Sequence, residues 1–116
     1  MGANVMFFGW NRSIPGREQI SNQHFQDFVQ YLEGLEKGGK IQGFDTVFLD
    51  IHGGDLNGFF LIRGESAQLE AMGSSKEWET HMTRASLHLQ GPGAVRGVTG
   101  KLLMERMNLW REMIPQ

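Results

Sequence analysis

No cysteine occurs in the 116 residues, which removes disulfides, thiolate nucleophiles, iron–sulfur clusters and cysteine-based zinc sites together. Basic residues are not gathered either. Eleven Lys and Arg stand against thirteen Asp and Glu, for a formal net charge of -2, and no run or stripe supplies the patch that tracks nucleic-acid phosphates. Apolar runs last only a few residues, far short of the ~20 needed to cross a bilayer, so no membrane helix is expected. The phosphate-loop fingerprint is missing as well: Val95 stands where its first glycine belongs, and Leu102 follows Gly100-Lys101 where Ser or Thr is required. Met1 to Met6 lacks a basic leader region, and Met6 replaces the Ser or Thr of a myristoylation signal, so a cytoplasmic protein is expected.

What is present is enough for one core. Apolar residues make up 40% and charged residues 21%, with eight Phe and three Trp, so burial can offset the entropy of ordering the chain. A domain of this size buries roughly two-thirds of the surface its unfolded chain exposes, and residues 1–116 are read as a single unit.

Periodicity supplies the elements. Asn4 to Trp10 is a short aromatic run stopped by a turn-rich segment, and predicts a first strand. From Arg17 to Lys37 the apolar positions Ile20, Phe25, Phe28, Leu32 and Leu35 recur at threes and fours, with His24 in the same series, which predicts an amphipathic helix ended by Gly38-Gly39. Ile41 to Ile51 and Gly58 to Arg63 predict a hairpin, drawn with His52 opposite Gly58. Glu65 to Met72 predicts a short helix, and Ser74 to Glu77 has the capping-box spacing that starts another through Trp78, His81 and Met82. Ser86 to Gln90 alternates and predicts a fourth strand, broken by Gly91-Pro92-Gly93 before Ala94 to Thr99 resumes it. Lys101 to Ile114 predicts a last amphipathic helix along Leu103, Met107, Trp110 and Ile114. The fold class is therefore α+β, in ferredoxin-like β-α-β-β-α-β order with an added C-terminal helix.

The first three strands are apolar on both faces, as in Phe7 and Phe8, Phe48 and Leu49, Phe60 and Leu61. Helices on one side of the sheet cover one face only. The other needs either a partner sheet, which predicts a homodimer, or the C-terminal helix folded across it.

The aromatic first strand, the Ser-x-x-Glu-Trp start at Ser74 to Trp78 and the glycine-broken fourth strand resemble the dimeric α+β barrel superfamily. That group includes antibiotic-biosynthesis-type monooxygenases, muconolactone isomerases and YCII-like proteins. The resemblance covers nearly the whole chain and implies a dimer in which each subunit keeps a small-molecule cavity between sheet and helices. It does not choose a reaction. The readings it leaves open are a cofactor-independent oxygenase or isomerase acting on an aromatic or polyketide-like compound, a non-catalytic ligand-binding module, and a haem-handling enzyme.

Few polar residues are candidates for such a cavity. Asp50 and His52 share one face of the predicted second strand, and a carboxylate beside an imidazole can orient the ring and raise its basicity. Hairpin ends also collect Asp, His and Gly for turn geometry alone. His24 sits within an apolar helical series, as a pocket base, a haem ligand or a hydrogen-bonded core histidine. For ligand binding, Arg12 and Arg63 offer guanidinium forks for a carboxylate, while Trp10 and Trp78 offer stacking surfaces or ordinary core packing. No cofactor is expected, and with four dispersed histidines and no cysteine no metal site is expected. His81 and His88 carry no evident partner.

Overall fold

A computed structural model describes residues 2–116. Strand β1 (Val5–Trp10) is continued past Asn11 by β2 (Arg12–Ser13), then α1 (Glu18–Lys37) returns to the hairpin β3 (Gly43–Phe48) and β4 (Gly58–Arg63). Helices α2 (Ser66–Gly73) and α3 (Lys76–His88) lead to β5 (Leu89–Gln90), β6 (Gly93–Gly97) and α4 (Lys101–Glu112). The main sheet has the order β3-β4-β1-β6 with every pair antiparallel, and β2 pairs with β5 as a small extension. This is the α+β, ferredoxin-like arrangement, with an extra C-terminal helix.

Alternation along the strands divides the sheet into two faces. Met6, Phe8, Phe60 and Ile62 point to one side and are buried against Phe28 and Leu32 of α1, Leu69 and Met72 of α2, and Trp78 and Ala85 of α3. Phe28 is the hub: its ring lies 4.9 Å from that of Phe60, 5.5 Å from Phe8 and 5.9 Å from Trp78. Trp78 enters this core because Ser75 caps α3, its Oγ accepting from Trp78 N at 3.1 Å. The cap is Ser75, one residue after the serine that the Ser74 to Glu77 spacing singled out.

Two expectations are corrected. The hairpin register places Phe48, not His52, opposite Gly58, so β3 ends at Phe48 and residues 49–57 form the connection. The displacement is even, so the sides assigned to Phe48, Phe60 and Ile62 and to Val47, Phe59 and Leu61 survive it. Gly58 is fixed at this position by packing, since a Cβ there would lie 2.6 Å from the Trp10 ring. Second, the stretch expected as a fourth strand from Ser86 is helix through His88, and only Leu89–Gln90 and Gly93–Gly97 are extended. The helix cover weighed as the alternative to a partner sheet is absent: α4 does not fold back across its own sheet, and none of its residues is buried. The molecule is accordingly long, 54 × 37 × 21 Å with a radius of gyration of 16.0 Å, against about 13 Å for a compact chain of this size.

Candidate functional site

Helices α1 and α3 lie side by side, and helical spacing aligns their polar residues along the seam. On α1, Ser21, His24, Asp27 and Tyr31 fall at steps of three and four; on α3, His81, Arg84 and His88 do the same. Where they face each other, Ser21 and the three histidines belong to a continuous hydrogen-bonded chain that begins at Ser13. Ser13 Oγ lies 2.5 Å from Ser21 Oγ, Ser21 Oγ 2.7 Å from His88 Nδ1, His88 Nε2 2.7 Å from His24 Nδ1, and His24 Nε2 3.0 Å from His81 Nδ1. His24 and His88 are buried and His81 is partly exposed, its ring stacked on His24 at 5.3 Å and tilted against Tyr31 at 4.6 Å. Beside them Arg84 donates to Asp27 at 2.9 Å.

Charge is suppressed along this chain. His24 is pushed down to about 4, first by burial and then by the nearby Arg84, His88 and His81, with Asp27 opposing. Burial, followed by Arg84, also lowers His81 and His88. The three rings are therefore neutral imidazoles at neutral pH, each with one N–H and one bare nitrogen.

The serine end of the chain opens onto a cleft of about 340 Å³ between α1 and the sheet. Its walls are aromatic: Phe8, Trp10, Phe25, Phe28, Phe48 and Phe60. Trp10 and Phe25 flank Phe48 at the cleft, with ring centroids 6.3 and 5.2 Å from it. Ser13, Ser21, Asn22, His24 and His88 supply the polar wall, with Leu89 beside them. A volume near the lower end of the small-molecule range, mostly apolar with a few convergent polar groups, suits a compact planar ligand.

Of the residues proposed from sequence, His24 and Trp10 line this cleft. The others lie elsewhere. Asp50 and His52 are exposed in the 49–57 connection, and His52 Nδ1 meets the backbone oxygen of Asp50 at 2.8 Å rather than a carboxylate. The loop ends the strand before either residue, which removes the shared face expected of them. Arg63 sits at the far end of β4, opposite Gly43 and Val5, and pairs with Asp45 on the face away from the helices. At ~3.3 Å per residue, the length of β4 separates it from Asp50 and His52. Arg12 is exposed on β2, and Trp78 is core, with rings of Phe8 and Phe28 at 6.4 and 5.9 Å. Sequence reasoning missed Ser13, Ser21, His81 and His88. A signal for the histidines was available: His81 and His88 are seven apart, two helical turns, but the alternation of residues 86–90 placed His88 on a strand.

Both ring nitrogens of His24 and of His88 are engaged in hydrogen bonds, so axial ligation of a haem by either would break the chain. Among the described residues no group of three or more His, Asp or Glu is arranged to hold a metal ion. No helix among them is long and apolar enough to cross a membrane.

No protein-family model matches the chain, and no curated protein matches it. Among solved structures it is similar to the crystal structure of a dimeric protein of unknown function with a ferredoxin-like fold from Bacteroides fragilis. That likeness has a TM-score of 0.58 at 9% identity and covers 82% of this chain and 95% of the other. At such identity it speaks to the fold alone.

Proposed function

We propose that the chain binds a small, planar, largely apolar molecule in the aromatic cleft and moves a proton on it without a bound cofactor, as an isomerase or cofactor-independent oxygenase would. The observation that carries this is the contact of Ser21 with a neutral, buried His88 whose far nitrogen is held by His24. A base oriented by a second group and aimed through a hydroxyl at an apolar space is the arrangement of general-base catalysis. Burial keeps His88 from being protonated in advance. His88 is the base in this reading and reaches the ligand through the Ser21 and Ser13 hydroxyls, His24 holds its far nitrogen, and Trp10 with Phe25 and Phe48 hold the ligand.

An uncharged aryl ketone such as 2-tetralone tests the reading, because exchange of its α-hydrogens in D2O is visible by proton NMR. The wild-type protein should accelerate exchange saturably, and His88→Leu should slow it roughly a hundredfold. Saturable quenching of tryptophan fluorescence without any exchange would instead identify a non-catalytic binding module. A panel of planar ketones that neither binds nor exchanges faster than in buffer sinks both.

We also infer a homodimer, and with it the closer kinship to the dimeric α+β barrel superfamily. Val47, Phe7, Phe59, Leu61 and Val95 form an apolar sheet face away from the helices, and the apolar side of α4 is bare as well. The protein from Bacteroides fragilis is a dimer. Light scattering should give twice the 13.1 kDa chain mass.

A further inference from the structure

His24 decides the polarity of the whole chain. It is neutral, and an imidazole nitrogen faces each of its own: His88 Nε2 at Nδ1 and His81 Nδ1 at Nε2. If His24 donates from Nε2, His81 must accept at Nδ1 and His88 must donate from Nε2, so all three rings are Nε2–H tautomers. If it donates from Nδ1, all three are Nδ1–H. Any mixture sets two N–H groups or two lone pairs against each other.

The serines follow the rings. In the first state His88 Nδ1 is bare, Ser21 donates to it, Ser13 donates to Ser21, and Ser13 offers the cleft a lone pair. In the second state His88 donates to Ser21, Ser21 donates to Ser13, and the Ser13 proton is free for the cleft. The same wall thus accepts a hydrogen bond in one state and donates one in the other.

We propose that this chain is a proton wire of reversible polarity, with Ser13 its cleft end and His81 its outer end, whose substrate is an uncharged planar ketone interconverted with its enol. The proposal rests on the proton-transfer reading of the cleft and narrows it to a redox-neutral isomerisation. In the Nε2–H state the Ser13 oxygen takes a proton from the carbon beside the carbonyl. The C–H pair becomes the C=C bond of the enolate, and the C=O π pair moves onto oxygen. The Ser13 proton passes to Ser21, the Ser21 proton to His88 Nδ1, and the two ring-to-ring protons each move one nitrogen along. His81 then holds two protons, and the wire has become a donor at Ser13. Shifting every proton back by one place protonates the enolate oxygen and restores the starting tautomers. One C–H bond is lost, one O–H bond forms, and nothing is oxidised.

His81 suits the outer end because it is the least enclosed of the three rings. The titratable groups around the wire are Asp27 and Tyr31 from α1 and Arg84 from α3, with Arg17 on the outer side of His88. Asp27 favours the transient cation on His81, and its pairing with Arg84 moderates the opposing charge of that guanidinium.

His81 touches no ligand in this scheme, which makes the test specific. His81→Phe keeps a ring beside Tyr31, and His81→Gln keeps a hydrogen-bonding group facing His24; neither relays a proton. Both should slow α-exchange of 2-tetralone roughly a hundredfold while leaving its affinity, read by tryptophan quenching, unchanged. Independently of any variant, nitrogen-15 NMR of the unmodified protein should find His24, His81 and His88 in one shared tautomer. Saturating 2-naphthol, a fixed enol, should favour the Nε2–H state, and saturating 2-tetralone the opposite one. Opposed tautomers in the unmodified protein, or undiminished exchange in a folded His81 variant, would overturn the wire and leave the cleft's proton-transfer reading standing. A wild-type protein that exchanges no ketone defeats that earlier reading and the wire with it.

Discussion

On one face of the sheet Phe8, Phe60 and Ile62 are sealed beneath α1, α2 and α3; on the other Phe7, Phe59 and Leu61 are only partly buried. The strands are the same, and their residue types barely differ from face to face. What differs is the cover. Under the helices even the polar groups are enclosed, and they come as a complete chain in which each buried ring is hydrogen-bonded on both sides. On the open face the polar groups are an exposed ion pair, Arg63 with Asp45. A sequence alternation therefore says which residues share a face, and only the packing of other elements says which face is an interior.

The largest effect that sharpens this contrast is a truncation on each side of the same strand. Phe60→Ala empties a site that is 2% exposed and in contact with four or more rings, and should cost about 3–5 kcal/mol in urea unfolding. Phe59→Ala, stacked on Phe7 at 5.0 Å but on the open face, should cost about 1 kcal/mol in the dissociated chain at high dilution. Equal losses there would mean that the open face is covered within the chain, and the contrast would fail.

Acid is the second lever, and the closed side answers to it through its histidines. His24 has a folded value of about 4 against 6.5 unfolded. A lowered histidine binds its proton more readily in the unfolded chain. The stability attached to its neutrality is therefore full above pH 6.5, declines as pH falls from 6.5 towards 4, and changes no further below that. For a buried ring the loss is about 3 kcal/mol, and His81 and His88, lowered by the same cause, add in the same direction. Urea midpoints measured between pH 7.5 and 4 should fall along this course. His24→Gln should lower the midpoint at pH 7.5 and flatten the slope; an unchanged slope would mean that the ring is not buried neutral.

Much of the frame was legible in the sequence because periodicity is a local property. The α1 stripe of His24, Phe28 and Leu32, the parity of β4 and the glycine interruption at Gly91 to Gly93 were all read from spacing alone. The site was legible only at His24 and Trp10. Its other members come from a loop strand, two helices and the residue at which α3 ends, and their meeting depends on how α1 and α3 pack. The Asp50 and His52 cluster misled for the converse reason: residues near in sequence at a hairpin end were taken as near in function, while the hairpin had already opened at Phe48.

The smallest effect on the chain's own stability is expected where the largest exposed apolar residue sits. Trp110 is 61% exposed on α4, with Leu109 at 46% and Met113 at 68% nearby, and none of that helix is buried. Truncating a side chain with so little to lose should alter unfolding by less than about 0.5 kcal/mol if the chain acts alone. An amphipathic helix held out from its own domain has a different use if a second copy receives it. A stable interface buries on the order of 1,600 Å² in total, with aromatic residues dominating its energy. Trp110→Ala would then leave the dilute chain's unfolding unchanged and raise the dimer dissociation constant by tenfold or more, about 1.4 kcal/mol. Sedimentation across a concentration series separates the two, since only the second makes the apparent mass of the variant fall at concentrations where the wild type stays associated. If the mass is unmoved by Trp110→Ala but falls with Leu61→Asp, the dimer joins through the open sheet face and α4 lies outside it. If neither changes it because the wild type already sediments as a single 13.1 kDa chain, both apolar surfaces remain in water and the inferred dimer is wrong.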